Sequence, residues 1–224
     1  MGNSICLSHI ISQETPSYGN RDRVFIRTDS AIKKGDAANS SAWIFSNNHI
    51  GTHIDVSYHF CEEGKKTHEI PIDDFVFNQV HLIDVPCKGA KLIGIKELEQ
   101  SLPINKEVEL LLIRTGFENF RKEDSYWNDN PGIAPELANF FRKNFPKLRC
   151  IGFDFISLTS WKYRVEGRKS HQIFLCPDQG KPILVIEDMS LKALKSQINW
   201  VVVAPFFVED GNGGAVTVFA NQNS

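Results

Sequence analysis

Apolar and polar positions alternate most cleanly over residues 46–60, Ser-Asn-Asn-His-Ile-Gly-Thr-His-Ile-Asp-Val-Ser-Tyr-His-Phe. Read with a period of two, His49, Gly51, His53, Asp55, Ser57 and His59 share one face. Ile50, Thr52, Ile54, Val56, Tyr58 and Phe60 share the other. The first face is polar and reactive, and the second is suited to a core. A straight strand does not gather these histidines: at roughly 3.3 Å per residue, His49 and His53 stand about 13 Å apart. A helical turn would gather them, but β-branched Ile50, Thr52 and Ile54, with Gly51 between them, disfavour a regular helix. The pattern therefore predicts a bend at Gly51-Thr52, where glycine permits unusual φ. Extended chain follows, with His53 and Asp55 side by side.

Elsewhere the pattern predicts a mixed α/β chain with a β-rich core of roughly eight or more strands and a few helices. Strands are expected over 5–10, 23–28, 41–46, 80–85, 108–116, 148–158, 182–188, 200–207 and 215–220. The run from Val108 to Gly116 is the most apolar, and its length and branched residues suit a strand buried on both faces. Leu137, Phe140, Phe141 and Phe145 recur at helical spacing behind Pro135, which predicts a helix there. Short helices are also expected over 95–102, closed by Pro103, from His171 onward, and over 190–196. The segments 11–22, 29–41, 61–74 and 117–133 are polar or turn-rich and read as loops. In the last of these, Tyr126 and Trp127 either stack on an aromatic substrate or pack into the core.

Composition narrows the partners. The 224 residues carry a net charge of −2, with 42% hydrophobic and 23% charged residues, ordinary values for a globular protein. No long basic block appears, which argues against nucleic acid or anionic membrane as a partner. No Gly-rich phosphate loop is present, no stretch reaches the length needed to span a bilayer, and no signal peptide is evident. The five cysteines, Cys6, Cys61, Cys87, Cys150 and Cys176, are scattered and never in C-x-x-C spacing. They read as free thiols in a reducing compartment, so a cytoplasmic protein is expected.

The chemistry concentrates in the 46–60 stretch. Three of the seven histidines lie there, with Asp55 between them. Imidazole and carboxylate together suit zinc, manganese or iron. A lone histidine is ordinarily a satisfied core or surface residue; three in eleven positions on one face, with an aspartate, point to a metal site. The string His49-Ile-Gly-Thr-His53-Ile-Asp55-Val-Ser-Tyr-His59-Phe60 resembles the signature of the cyclase family, H-x-G-T-H-x-D-x-P-x-H-F. That family includes metal-dependent kynurenine formamidases and isatin hydrolases. Ser57 stands where proline is usual. Weaker matches are Leu7-Ser8-His9, Thr115-Gly116 at a strand end, and the Gly152-x-Asp154-x-x-Ser157 pattern. The closing Gly-x-Pro-x-Arg of the family has no counterpart.

The resemblance implies a single domain over residues 1–224 with the swivelling β/β/α architecture. It implies a metal site built from His49, His53, Asp55, His171 and Glu187, holding one or two Zn2+ or Mn2+ ions per chain. His49, His53 and Asp55 would take the first ion; Asp55 would bridge to a second held by His171 and Glu187. His59 would stay off the metals as general acid/base. The implied reaction is hydrolysis of an amide or cyclic amide C–N bond in a small, aromatic molecule, in a homodimer or homotetramer. Two other readings remain open at this point: a non-catalytic binder of small molecules with the same metal site, and a structural metal with a closed coordination shell.

Overall fold

The computed structural model describes residues 2–99, 101–102, 105–195 and 197–223. Thirteen strands occur among them. The first seven are β1 (Asn3–Cys6), β2 (Val24–Ser30), β3 (Ser40–Phe45), β4 (His53–Asp55), β5 (Val76–Phe77), β6 (Val80–Asp84) and β7 (Leu92–Ile93). The remainder are β8 (Leu110–Arg114), β9 (Gly132–Ile133), β10 (Cys150–Phe153), β11 (Leu184–Glu187), β12 (Ile198–Pro205) and β13 (Gly213–Gln222). The helices are α1 (Ile95–Leu98), α2 (Ser125–Asn128), α3 (Glu136–Asn144) and α4 (Arg164–Leu175).

Nine strands form one sheet in the order β5-β12-β13-β4-β11-β10-β8-β6, with β1 also paired to β13. β6, β8, β10 and β11 run parallel, while β4 is antiparallel to both neighbours, β11 and β13. The expected mixed, β-rich α/β core is thus observed. Alternation explains why its central strands are apolar throughout. Leu111, Ile113, Ile151, Phe153 and Val185 pack on one face with α3 and α4 residues Leu137, Phe141 and Phe174. Leu110, Leu112, Cys150, Leu184 and Ile186 pack on the other with Ile54, Val201, Val203 and Val218. With both faces covered, no polar alternation survives. β2 and β3 form a separate hairpin, paired only with each other, that leaves Phe25, Ile26, Trp43 and Ile44 exposed.

Several expected elements move. His171 does not open a helix: α4 begins at Arg164, and His171 lies in its second half. The expected helix over 190–196 is absent among its described residues, 190–195. Met189 instead forms a bridge with Ser8, and the Leu191 amide donates to Glu118 Oε2 at 3.1 Å. Pro103 and residue 196 lie outside the described residues. Tyr126 and Trp127 pack inward rather than facing a ligand. Tyr126 is fully buried with its ring stacked on Phe117, and Trp127 packs against Trp161.

The reading of five free thiols is also overturned. Cys61 and Cys176 form a disulfide, with Cα atoms 5.6 Å apart; Cys6, Cys87 and Cys150 are free. The pair is separated by 115 residues, so no spacing announces it. It ties the chain just after His59 to the residue that follows α4. Such bonds persist in oxidising surroundings, so cysteine usage no longer argues for a reducing compartment. No helix among the described residues is long and apolar enough to cross a membrane.

Candidate metal centre

The bend expected at Gly51 is present, with φ of +73°. It turns the chain so that His49 lies beside the start of β4 rather than along it. β4 then presents His53 and Asp55 on one face. Its register does the rest: His53 lies directly opposite Glu187 of β11, and cross-strand neighbours stand close enough to meet. His53 Nε2 is 3.3 Å from Glu187 Oε2 and 3.6 Å from Asp55 Oδ1. α4 supplies His171 from the other side, with Nε2 3.4 Å from Asp55 Oδ2 and 3.6 Å from Glu187 Oε1.

Backbone carbonyls fix both rings. His53 Nδ1 donates to the Gly51 carbonyl at 2.8 Å, and His171 Nδ1 donates to the Gly167 carbonyl at 2.9 Å. Each ring is thereby held with Nε2 toward the carboxylates, the way outer partners orient metal-binding histidines. Glu187 is steadied by the Leu158 amide at 2.7 Å. His49 Nδ1 lies 2.7 Å from Asp55 Oδ1, and its Nε2 lies 2.9 Å from Asn212 Oδ1 in the turn before β13. Gly213, at φ +141°, lets that turn approach; a side chain there would strike the Ile54 carbonyl and the His49 ring.

His59 stacks on His49 with ring centroids 4.0 Å apart, and Phe60 stacks on His171 at 4.6 Å. All six expected site residues therefore converge, but not in the expected grouping. His53, Asp55 and Glu187 form one set of mutually close donor atoms, and His49, Asp55 and His59 form another. Asp55 is common to both, as a bridging ligand requires. His59 stands beside donor atoms rather than apart from them.

The electrostatics are those of a site built for positive charge. Asp55 and Glu187 are 1% and 3% exposed. Burial pushes the Asp55 carboxyl up, but His59, His49 and His171 outweigh it and hold it well below the usual carboxylate range. Burial and Asp55 push Glu187 up, and the hydrogen bonds of His171 and His53 reverse the shift. Burial opposes charge on His53 and His171, yet their carboxylate partners lift them to about 9 and about 10. Burial, with His49 and His171 adding to it against Asp55, lowers His59 to about 4. Two buried carboxylates are thus neutralised by protons on imidazoles. A divalent cation can replace those protons, because each donor set has its ligand atoms within 4.8 Å of one another. The residues present fit a metal.

The donors floor a cleft of about 290 Å³. Besides the six site residues it is lined by Tyr18, Arg21, Phe60, Arg164 and Arg168, among others. The sequence reading missed Asn212, the carbonyls of Gly51 and Gly167, and the arginines. Apart from Gly51 none belongs to a motif; topology brings the others in. Thr115 and Gly116, the weak match at a strand end, donate to the buried Asp154 carboxylate at 2.6–2.8 Å and lock β8 to β10.

Ser57 has a simple local explanation. It is the first residue of a 3-10 turn, Ser57–His59, after extended Val56 (φ −114°, ψ 170°). That position tolerates proline, and an extended preceding residue is what proline demands. Ser57→Pro is expected to raise stability by about 0.4–1 kcal/mol by restricting the unfolded chain, measured by thermal unfolding. A loss of stability would mean that the Ser57 amide or the close packing of Gly64 over this turn matters more.

Comparison with known proteins follows the same lines. The putative cyclase family matches residues 5–159. A kynurenine formamidase of Bacillus cereus is 31% identical over 169 residues, covering 75% of this chain and 73% of the relative. An uncharacterized protein of Haemophilus influenzae is 36% identical over 110 residues, 48% of this chain and 78% of the relative. Isatin hydrolase A from Labrenzia aggregata, bound to benzyl benzoate, has a TM-score of 0.81 at 19% identity, covering 100% of this chain and 94% of that one. A potential metal-dependent hydrolase with cyclase activity has a TM-score of 0.75 at 20% identity, covering 100% of both chains. The chain belongs to the cyclase family, and its relatives support a hydrolase.

Proposed function

We propose that this protein is a metal-dependent amidohydrolase that cleaves an amide or cyclic amide C–N bond of a small, aromatic molecule, in the manner of an arylformamidase. The observation that carries this reading is the convergence of His49, His53, His171 and Glu187 around buried Asp55 at the floor of an open cleft. An open cleft over the donors favours catalysis over a structural metal, whose shell would be closed. His49, His53, Asp55, His171 and Glu187 would hold one or two ions, zinc or manganese. When bound, such an ion lowers the pKa of water and polarises a carbonyl oxygen.

The chain's own residues supply the remaining steps. His53 and His171, fixed through their Nδ1 atoms, keep the donor geometry rigid. His59 lines the cleft and is neutral near pH 7, so its free ring nitrogen can accept the proton that water gives up as its oxygen attacks the carbonyl carbon. The same proton passes to the leaving nitrogen as the C–N bond breaks, so one water is consumed and an acid and an amine result, on one molecule where the amide is cyclic. Phe60, stacked against His171, gives an aromatic substrate an apolar wall.

The test is metal content by mass spectrometry together with turnover of a panel of formanilides and cyclic amides. Wild type should carry one or two ions and hydrolyse members of the panel. His53→Ala should lose both metal and activity. His59→Ala should keep its metal and lose roughly 10²–10⁴-fold in rate. Loss of metal in His59→Ala would make His59 a ligand instead of the proton carrier, and a wild type that binds no metal on reconstitution would remove the reading altogether.

A further inference from the structure

Three guanidinium groups at the mouth of the cleft have no part in the chemistry described above. Arg21, Arg164 and Arg168 are solvent-exposed yet line the same cleft as the metal donors. The guanidinium ion pairs among the described residues belong to Arg27, Arg114, Arg121 and Arg149. Arg21, Arg164 and Arg168 form none. Arg164 and Arg168 stand four residues apart on α4, where like charges repel across one face of the helix. The single acidic side chain beside them in the lining that is not a metal donor is Asp22, and its carboxylate is turned to Ser46 and Asn47 at 3.4 and 3.5 Å.

A second, independent feature borders the same space. Tyr18 lines the cleft, and its hydroxyl is buried without a hydrogen-bond partner among the described residues. Its ring is packed edge-on against Trp161 at 5.2 Å, and Arg164 lies over the other ring of that pair, 5.0 Å from the Trp161 centroid. The aromatic pair thus holds a donor hydroxyl and a guanidinium in fixed relation. Unpartnered buried donors are costly, so this hydroxyl has a hydrogen bond to offer a ligand. A planar carboxylate is the anion that a guanidinium fork matches with two parallel hydrogen bonds.

We propose that the cleft selects substrates bearing a carboxylate, held by Arg164, Arg168 and Arg21 at its mouth with the Tyr18 hydroxyl below them, while the scissile amide sits over the metal donors. This assignment of substrate class rests on the amidohydrolase reading. The positive rim also draws anionic substrates toward the cleft.

The experiment compares formanilide with its 2-, 3- and 4-carboxylate derivatives on metal-loaded wild type and on R164Q/R168Q, with calorimetric binding of benzoate to both proteins. At least one carboxylate isomer should exceed formanilide in kcat/KM by about 10–100-fold, the worth of a hydrogen-bonded charge pair. That preference should fall to about 1 in R164Q/R168Q, and Tyr18→Phe should lower it in part. Equal kcat/KM for formanilide and all three derivatives, or a preference that survives in R164Q/R168Q, overturns the proposal while leaving the hydrolase intact. If neither formamides nor cyclic amides are turned over, benzoate decides. Affinity at least about 10-fold weaker in R164Q/R168Q keeps the carboxylate site and removes the hydrolase reading. Affinity unchanged by the substitutions, or no binding at all, overturns the carboxylate site.

Discussion

Asp55→Asn is expected to strip the metal from the centre and to lower turnover by on the order of 10³-fold or more, the several kcal/mol that a cation supplies at a reacting carbonyl. Asn is nearly isosteric with Asp, so the fold should survive and the loss can be assigned to charge. The position is singular because Asp55 belongs to both donor sets and touches three imidazoles. Metal per chain, kcat/KM and pH-dependent melting of the metal-stripped protein read the consequence three ways. The sign of the pH effect follows from the shifts. In the stripped protein His53 and His171 are raised to about 9 and about 10 from 6.5. Their contribution to stability is therefore fully present below about pH 6.5 and is lost as pH rises through 9 and 10. Asp55 is depressed, so its contribution is present above 3.8 and lost as acid protonates it. Stripped wild type should melt highest near neutral to mildly acidic pH and lower by pH 10. Asp55→Asn removes a cause of both histidine shifts, so its alkaline decline should be shallower. A variant that keeps its full metal load and rate would show that Asp55 is not a ligand.

The floor of the cleft was legible in the sequence because its signal is local. Period-two alternation put His53 and Asp55 on one face, and the need to bring His49 near demanded a bend, which Gly51 provides at φ +73°. The apolar runs that became β8 and β11 were legible for the same reason, since burial on both faces leaves continuous hydrophobic segments. His171 and Glu187 could be placed only by resemblance. An isolated histidine and a strand-end glutamate carry no pattern, and it is the β4–β11 register and the packing of α4 that bring them in. The start of α4 was missed because Arg164–Lys169 holds one apolar side chain, exposed Val165, and gives no apolar stripe until Ile173 and Phe174. The Cys61–Cys176 bond and the Asn212 contact to His49 join segments 115 and 163 residues apart. Neither distance leaves a mark on local composition.

Arg121→Met is expected to destabilise the protein by about 3–5 kcal/mol, because it leaves a buried carboxylate without its partner. Asp188 immediately follows Glu187, is 1% exposed and sits at φ +52°, a left-handed conformation that a non-glycine residue holds only when its surroundings fix it. Arg121 fixes it with two hydrogen bonds, at 2.9 and 2.8 Å, joined by the Tyr126 hydroxyl, while Thr52 donates to its backbone carbonyl. The end of β11 is thereby pinned from behind, one residue beyond a metal donor. For a chain of this size the loss should lower Tm by roughly 6–20 °C. Metal affinity should fall about 10–100-fold, as for loss of an outer-shell partner. The double variant R121M/D188N separates charge from shape. Asn tolerates the left-handed conformation and can still accept from Tyr126, so removing both charges should cost less than removing Arg121 alone. If the double variant is instead as unstable as the single one, and metal affinity falls equally in both, then packing by the Arg121 side chain, and not neutralisation of Asp188, is what holds Glu187 in place.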